Sequence, residues 1–214
     1  MKSRGLLNDS HSLVIETNIG LLPIQFRSEE GLHIRMKQGS PQFIPFRGNV
    51  ERLFQAMGLA ADAWDDTYPI VYGSTGTWTL LIPIKELASF KQMKPQNELF
   101  PDILVENPKA SIHPFSFSAY SKAADMHARH FSSPYSGTIE DPVTGTASGV
   151  MGAYYLTYVK PEQREARLTV EQGQEMGRDG AVYVEAVRQA VNHIDIFISG
   201  TAVYVGEIDR GIFT

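Results

Sequence analysis

Two adjacent carboxylates, Glu140 and Asp141, stand directly before the run Pro142-Val143-Thr144-Gly145-Thr146-Ala147, and from Pro142 to Val159 there is no Lys, Arg, Asp or Glu. An acidic pair on an extended segment, feeding a Gly/Thr turn and then an apolar helix, can build an anion site. The turn presents backbone N–H groups at Gly145 and Thr146, and the helix adds the positive end of its dipole. The competing reading is a central core helix whose preceding acids are ordinary loop residues, and the residue types alone leave both open. A membrane span is excluded, because the stretch is short and interrupted by three Thr, one Ser and three Gly.

The element that must position these groups is a helix. Pro142 pushes Asp141 toward β or polyproline geometry, so the helix starts no earlier than Pro142. The hydroxyl of Thr144 or of Thr146 suits the N-cap. The helical run continues to Val159 and is ended by Lys160 and Pro161. Gly145, Gly149 and Gly152 share one face, and each interior glycine costs about 1 kcal/mol relative to Ala. Such a face calls for close approach of a neighbouring backbone. With no charged side, the helix must be surrounded by protein.

At 214 residues, 43% hydrophobic and 20% charged, the chain can bury a core in one large domain or two small ones. A net charge of −5 without a basic cluster argues against nucleic acid or an anionic membrane as partner. The amino-terminal residues hold no secretory apolar segment, so a soluble cytoplasmic protein is expected. The absence of cysteine removes disulfides, thiolate nucleophiles, Cys-ligated zinc and iron–sulfur clusters.

Strands outnumber helices. Residues 13–17, 21–26 and 32–37 read as a meander with turns at 18–20 and 28–31. A short helix over 49–57 is capped by Asn49 and stopped by Gly58. Strands at 70–72 and 78–83 flank a Gly73–Thr77 turn. Helical pieces follow at 84–93 and 97–106, then strands at 111–118 and 125–131. After the central helix come strands at 165–171, 181–190, 193–199 and 201–207. Antiparallel strands around one apolar helix give an α+β fold.

Weaker constellations read as structure. Gly73–Thr77 lacks P-loop spacing, and Gly173, Gly177 and Gly180 lack the dinucleotide pattern and form a turn. Arg178 is expected to be a salt-bridged turn residue. On the strand expected here His127 and His130 point to opposite faces, so no metal site is expected.

The run Glu140-Asp141-Pro142-Val143-Thr144-Gly145-Thr146-Ala147 resembles the E-D-P-x-T-G-S-A pattern of the phenazine-biosynthesis PhzF-like family. Other pieces match in order. They are Ile15-Glu16-Thr17 with Gly20, Gly73-Ser74-Thr75-Gly76 followed by Leu80-Leu81-Ile82-Pro83, Arg129-His130-Phe131, Gln172-Gly173-Gln174-Glu175-Met176-Gly177-Arg178, and Ser199–Val205. The resemblance spans nearly the whole chain.

That resemblance implies a diaminopimelate-epimerase-like fold, with two halves each wrapping a curved sheet around a helix and a site in the cleft between them. It implies a proton-transfer isomerisation of a small cyclic amino acid, with no metal or cofactor, and it assigns Gly76 to the cleft lining. The family's first-half catalytic Glu and its G-H-P-T-x-G turn have no counterpart here. Residues 1–40 are therefore expected to be remnant strands of the amino-terminal lobe, and residues 41–214 the carboxy-terminal lobe with its central helix near 146–159. The chain would hold one wall of the site and turn over little or nothing alone.

Beside a helix N-terminus the ionised form of Asp141 is favoured by roughly 0.3–1 kcal/mol. Asp141 thus suits a substrate ammonium better than it suits general-base duty, which works best near neutrality. The N–H groups of Gly145 and Thr146, with the Thr146 hydroxyl, can hold a substrate carboxylate. Thr146 replaces the family's usual Ser, adding a methyl. Non-catalytic binding of small anions, and a dimerising structural role through an uncovered sheet, remain alternatives, and a homodimer is expected in each case.

Overall fold

The computed structural model describes residues 11–17, 20–27, 33–191 and 193–201. Its strands are β1 (Ser12–Thr17), β2 (Gly20–Arg27), β3 (His33–Lys37), β4 (Gln42–Pro45), β5 (Val71–Ser74), β6 (Trp78–Pro83), β7 (Ser111–Ser116), β8 (Met126–Ala128), β9 (His130–Phe131), β10 (Glu140–Asp141), β11 (Glu165–Gln172), β12 (Gly180–Ala190) and β13 (His193–Thr201). The helices are α1 (Val50–Ala56), α2 (Phe100–Ile103) and α3 (Gly145–Tyr154).

The alternating apolar runs at both ends of the described chain meet in one sheet. β1, β2 and β3 form an antiparallel meander in which Ile15 pairs with Leu22 and Ile24 with Met36. Met36 in turn pairs with Ile198, so β3 joins β13 and the sheet runs β1-β2-β3-β13-β12-β11-β8-β7-β6-β5-β4. Only β11–β8 and β6–β7 are parallel contacts along this path. The two-residue pair β9–β10 lies off it, tied to β7 through Ile112 and Phe131.

The interior of this sheet is buried on both faces, which is why β6 reads as a continuous apolar run. Leu80 and Ile82 pack with Leu53, Phe54, Phe90 and Phe100 from the α1/α2 side. Leu81, between them, packs with Val150, Met151 and Tyr154 of α3 on the other side. Every residue of α3 from Ala147 to Tyr154 is buried, as its lack of charge requires. The architecture is α+β, dominated by the sheet.

Several local expectations are corrected. The α-helix ends at Tyr154, and Tyr155–Val159 widens into a π turn, with Lys160 N–H donating to the Tyr155 carbonyl at 2.8 Å. Thr157 Oγ1 donates to the Ala153 carbonyl at 2.7 Å, an alternative bond that competes with regular helix geometry. Residues 84–93 hold only a 3₁₀ segment, Leu87–Gln92, and residues 97–106 hold a 3₁₀ turn followed by the four-residue α2. The strand expected over 125–131 is broken at Arg129, whose N–H bonds the Pro114 carbonyl. β4 and β10 are additional, being too short for alternation to announce. The expected strand at 201–207 lies outside the described residues beyond Thr201.

The glycine face of α3 is approached by side chains rather than by backbone. A Cβ at Gly152 would stand 2.7 Å from Val184 Cγ1, one at Gly149 3.2 Å from Ile198 Cγ2, and one at Gly145 2.8 Å from Ile198 Cδ1. Branched residues of β12 and β13 fill the space the glycines leave. Among the described residues no helix is long and apolar enough to cross a membrane.

Candidate functional site

Asp141 lies on β10 directly opposite His130 of β9, and both are at least partly buried. The residues that follow turn sharply into α3. Thr144 occupies the N-cap position with extended backbone (φ −116°, ψ 95°), yet its hydroxyl makes no capping bond. It donates instead to Asp141 Oδ2 at 2.6 Å. A carboxylate three residues back is a stronger acceptor for an O–H than any other group in reach, so the cap expected from Thr144 or Thr146 does not form. The consequence is chemical. Among the described residues, the N–H groups of Gly145, Thr146 and Ala147 have no acceptor, and the first filled one is Ser148 N–H, which bonds the Thr144 carbonyl at 3.0 Å.

The turn is fixed from behind by Gln172, the last residue of β11 and only 1% exposed. Its Nε2 donates to the Asp141 carbonyl at 2.5 Å and to Thr144 Oγ1 at 3.1 Å, and its Oε1 accepts from Thr144 N–H at 3.2 Å. Gly173 next to it is close-packed: φ is +97°, and an added Cβ would lie 2.3 Å from the Arg178 carbonyl oxygen and 2.8 Å from that of Pro142. Only glycine serves there.

Glu140 is engaged elsewhere. Its two oxygens accept from Arg129 Nε and Nη2 at 2.7 Å each, and Arg129 Nη1 donates to the Phe90 carbonyl at 2.7 Å. This paired fork neutralises Glu140 inside the protein, and among the described residues Asp141 is the carboxylate of the acidic pair without a cation.

Asp141, Gly145 and Thr146 are thus brought together in one turn. Gly145 opens on a recess of about 460 Å³ lined also by Val143, Met36, Ile198 and Ser199. Gly76 is placed differently. It is exposed at φ +145°, its N–H is spent on Ser74 Oγ at 3.0 Å, and it borders a second recess of about 370 Å³ with Ser40, Gln42 and Trp78. Its link to the turn runs through Thr75, whose hydroxyl donates to the Thr146 carbonyl at 3.2 Å.

The other flagged residues take structural partners. His127 Nδ1 is 3.1 Å from Glu171 and its Nε2 is 3.2 Å from Glu175, while His130 meets His113. No group of three or more metal-capable side chains is assembled among the described residues. Arg178 has no carboxylate partner among them, contrary to expectation, and its N–H closes the turn on the Gly173 carbonyl at 3.0 Å. Sequence reasoning missed Gln172 and Thr144 as the residues that hold Asp141. The matched Q-G motif was the available signal, but nothing in the linear order tells that β11 ends beside β10.

The pattern of the family described as phenazine biosynthesis-like protein (PhzC-PhzF) matches residues 1–207. The chain belongs to this family. An uncharacterized isomerase of Bacillus subtilis, YfhB, is 48% identical over 202 residues, covering 94% of this chain and 68% of that protein. The trans-2,3-dihydro-3-hydroxyanthranilate isomerase of Pseudomonas chlororaphis is 23% identical over 204 residues, again 94% of this chain and 68% of the relative. The chain therefore spans about two thirds of the length of these PhzF-like relatives. A crystal structure of a PhzF-family phenazine biosynthesis protein from Bacillus anthracis superposes with a TM-score of 0.91 at 51% identity, over 99% of this chain and 72% of that one. A probable proline racemase from Agrobacterium radiobacter K84 shares the fold alone, with a TM-score of 0.61 at 12% identity over 99% of this chain and 66% of that one. The fold is the diaminopimelate-epimerase-like one of these neighbours.

Proposed function

We propose that the turn at the mouth of α3 is the binding half of an isomerase site for a small amino-acid-like zwitterion. Asp141 receives the substrate ammonium, and the free N–H groups of Gly145 and Thr146, with the Thr146 hydroxyl, receive its carboxylate. The observation that carries this reading is the pair of opposite charges the turn asks for: among the described residues, unfilled donors at a helix N-terminus beside one carboxylate without a cation. Each charge-assisted bond of this kind contributes about 1.5–3 kcal/mol.

The reaction proposed is a proton shift along an allylic system, as the isomerase names of the relatives suggest. Asp141 is oriented as an anchor by the Thr144 hydroxyl, and Glu140 is held by Arg129, so we assign neither to carrying a proton between carbons. We assign the proton transfer to a carboxylate outside these 214 residues, and the polypeptide by itself to binding without turnover. Gly76 lines the approach rather than the turn.

The test is titration of the 214-residue chain with trans-2,3-dihydro-3-hydroxyanthranilate by calorimetry, with product formation followed by NMR. Binding that weakens at least tenfold in Asp141→Asn, without turnover, is expected. No binding, or binding indifferent to Asp141→Asn, would falsify the site. Turnover by the isolated chain that disappears in Asp141→Ala would overturn the division of labour.

A further inference from the structure

Behind Asp141 lies a buried chain of three side chains that the turn does not explain. His113 of β7 is fully buried, with Nε2 3.1 Å from Met151 Sδ of α3 and Nδ1 3.2 Å from Nδ1 of His130. The two rings stand 5.4 Å apart, tilted by 56°. His130 is 8% exposed. It sits directly across the β9–β10 pair from Asp141, so the two side chains share one face of the ribbon.

The contacts at each end of this chain fix where the protons are. A thioether sulfur has no proton to give and can only accept, so His113 must carry hydrogen on Nε2 to meet Met151. Neutral His113 then has a bare Nδ1, which accepts from His130. His130 is consequently protonated on Nδ1, and its own Nε2 is left as an acceptor. The reverse arrangement would set two lone pairs against each other at 3.1 Å. Burial holds both imidazoles neutral, His130 down to about 4 even though Asp141 works in the opposite direction. Among the described residues nothing donates to His130 Nε2, and the residue keeps 8% of its surface exposed.

We infer that His130 Nε2 is a second acceptor beside Asp141, so that the half-site selects ligands whose nitrogen carries at least two hydrogens. Resting on the ammonium-anchor reading of Asp141, this narrows it from any ammonium group to an amine presented as –NH₃⁺ or –NH₂⁺–. One N–H goes to the carboxylate and the other to the imidazole. Met151 and His113 are positioning residues: they hold the tautomer that keeps Nε2 bare, and they do not touch the ligand. A trimethylammonium group would satisfy Asp141 and leave the imidazole unfilled, because it has no N–H to give. The amine of trans-2,3-dihydro-3-hydroxyanthranilate, on a saturated ring carbon, meets the requirement.

Two measurements test this, one of which needs no ligand. Long-range proton–nitrogen NMR of the histidine-labelled chain at pH 7 is expected to give both rings as neutral, with His113 protonated on Nε2 and His130 on Nδ1. A His130 ring protonated on Nε2 would sink the inference whatever the chain binds. In titrations with trans-2,3-dihydro-3-hydroxyanthranilate, His130→Phe should weaken binding about tenfold to a hundredfold. The N,N-dimethyl derivative should bind the native chain weakly, and His130→Phe should add little further loss for it. Full affinity in His130→Phe, with Asp141→Asn still impaired, removes His130 and keeps the Asp141 site. Indifference to Asp141→Asn removes the underlying reading instead.

Discussion

Gln172 and Thr144 exchange two hydrogen bonds across the junction of β11 and α3, 3.2 Å from Thr144 N–H to Gln172 Oε1 and 3.1 Å from Gln172 Nε2 to Thr144 Oγ1. A third bond from the same amide to the Asp141 carbonyl makes one buried side chain the support of the whole acidic turn. Because Thr144 passes its own hydroxyl hydrogen to Asp141, the direction of that carboxylate depends on Gln172 through two hydrogen bonds in series.

Gln172→Ala leaves the part-buried Thr144 N–H and Asp141 carbonyl without partners, a loss of about 2–4 kcal/mol. For a chain of this length that lowers Tm by roughly 5–10 °C. Thermal and urea unfolding measure it. Stability within 0.5 kcal/mol of the native protein would mean the amide does not hold the turn.

Stability should fall as the medium is acidified. Burial keeps the His130 imidazole down to about 4, and it keeps His113 well below its ordinary 6.5, with the neighbouring His130 and His127 adding to the effect. The unfolded chain takes up protons near pH 6.5 that the folded chain refuses, so the stabilisation is complete above that value and is lost as pH drops toward 4. For His130 the loss reaches about 3 kcal/mol. Urea denaturation from pH 7 to 5 should show the decline, and His130→Phe should flatten part of it. A level profile in the native protein contradicts the burial of neutral imidazoles.

The Arg129–Glu140 pair gives a double-mutant cycle with a definite sign. Glu140→Ala strands a guanidinium that is only 7% exposed, at a cost of about 3–5 kcal/mol. The double change Arg129→Met with Glu140→Leu should be less damaging than Glu140→Ala alone. If the double variant is the less stable, the pair contributes net stability that desolvation has not cancelled.

Glycine-to-alanine changes along α3 should rank by the space beside them. Gly152→Ala places a methyl 2.7 Å from Val184 Cγ1, whereas Gly149→Ala meets its nearest neighbour at 3.2 Å. Alanine gains about 1 kcal/mol of helix propensity at either site. Overpacking costs about 1–3 kcal/mol at Gly152 and should exceed that gain there, while Gly149→Ala comes out near neutral. Equal effects at both positions in chemical denaturation would show that β12 and β13 yield freely.

The sequence by itself determined the apolar core helix, the meander, the Asn49 cap and the family, because alternation, charge-free runs and motif spacing are local properties of the chain. Asn49 Oδ1 does accept from Arg52 N–H at 2.9 Å, as its position promised. It also determined that Asp141, Gly145 and Thr146 would share one turn, since they lie within six residues of one another. Tertiary structure alone decided what those residues are free to do. Whether Thr144 caps the helix or turns to Asp141, whether Glu140 is available or held by Arg129, and which ring nitrogen of His130 stays bare all depend on β11, β7 and α3 arriving from distant parts of the chain. Hydrogen-bond donors and acceptors are assigned by competition among neighbours in space, and a linear order of residues does not contain that competition.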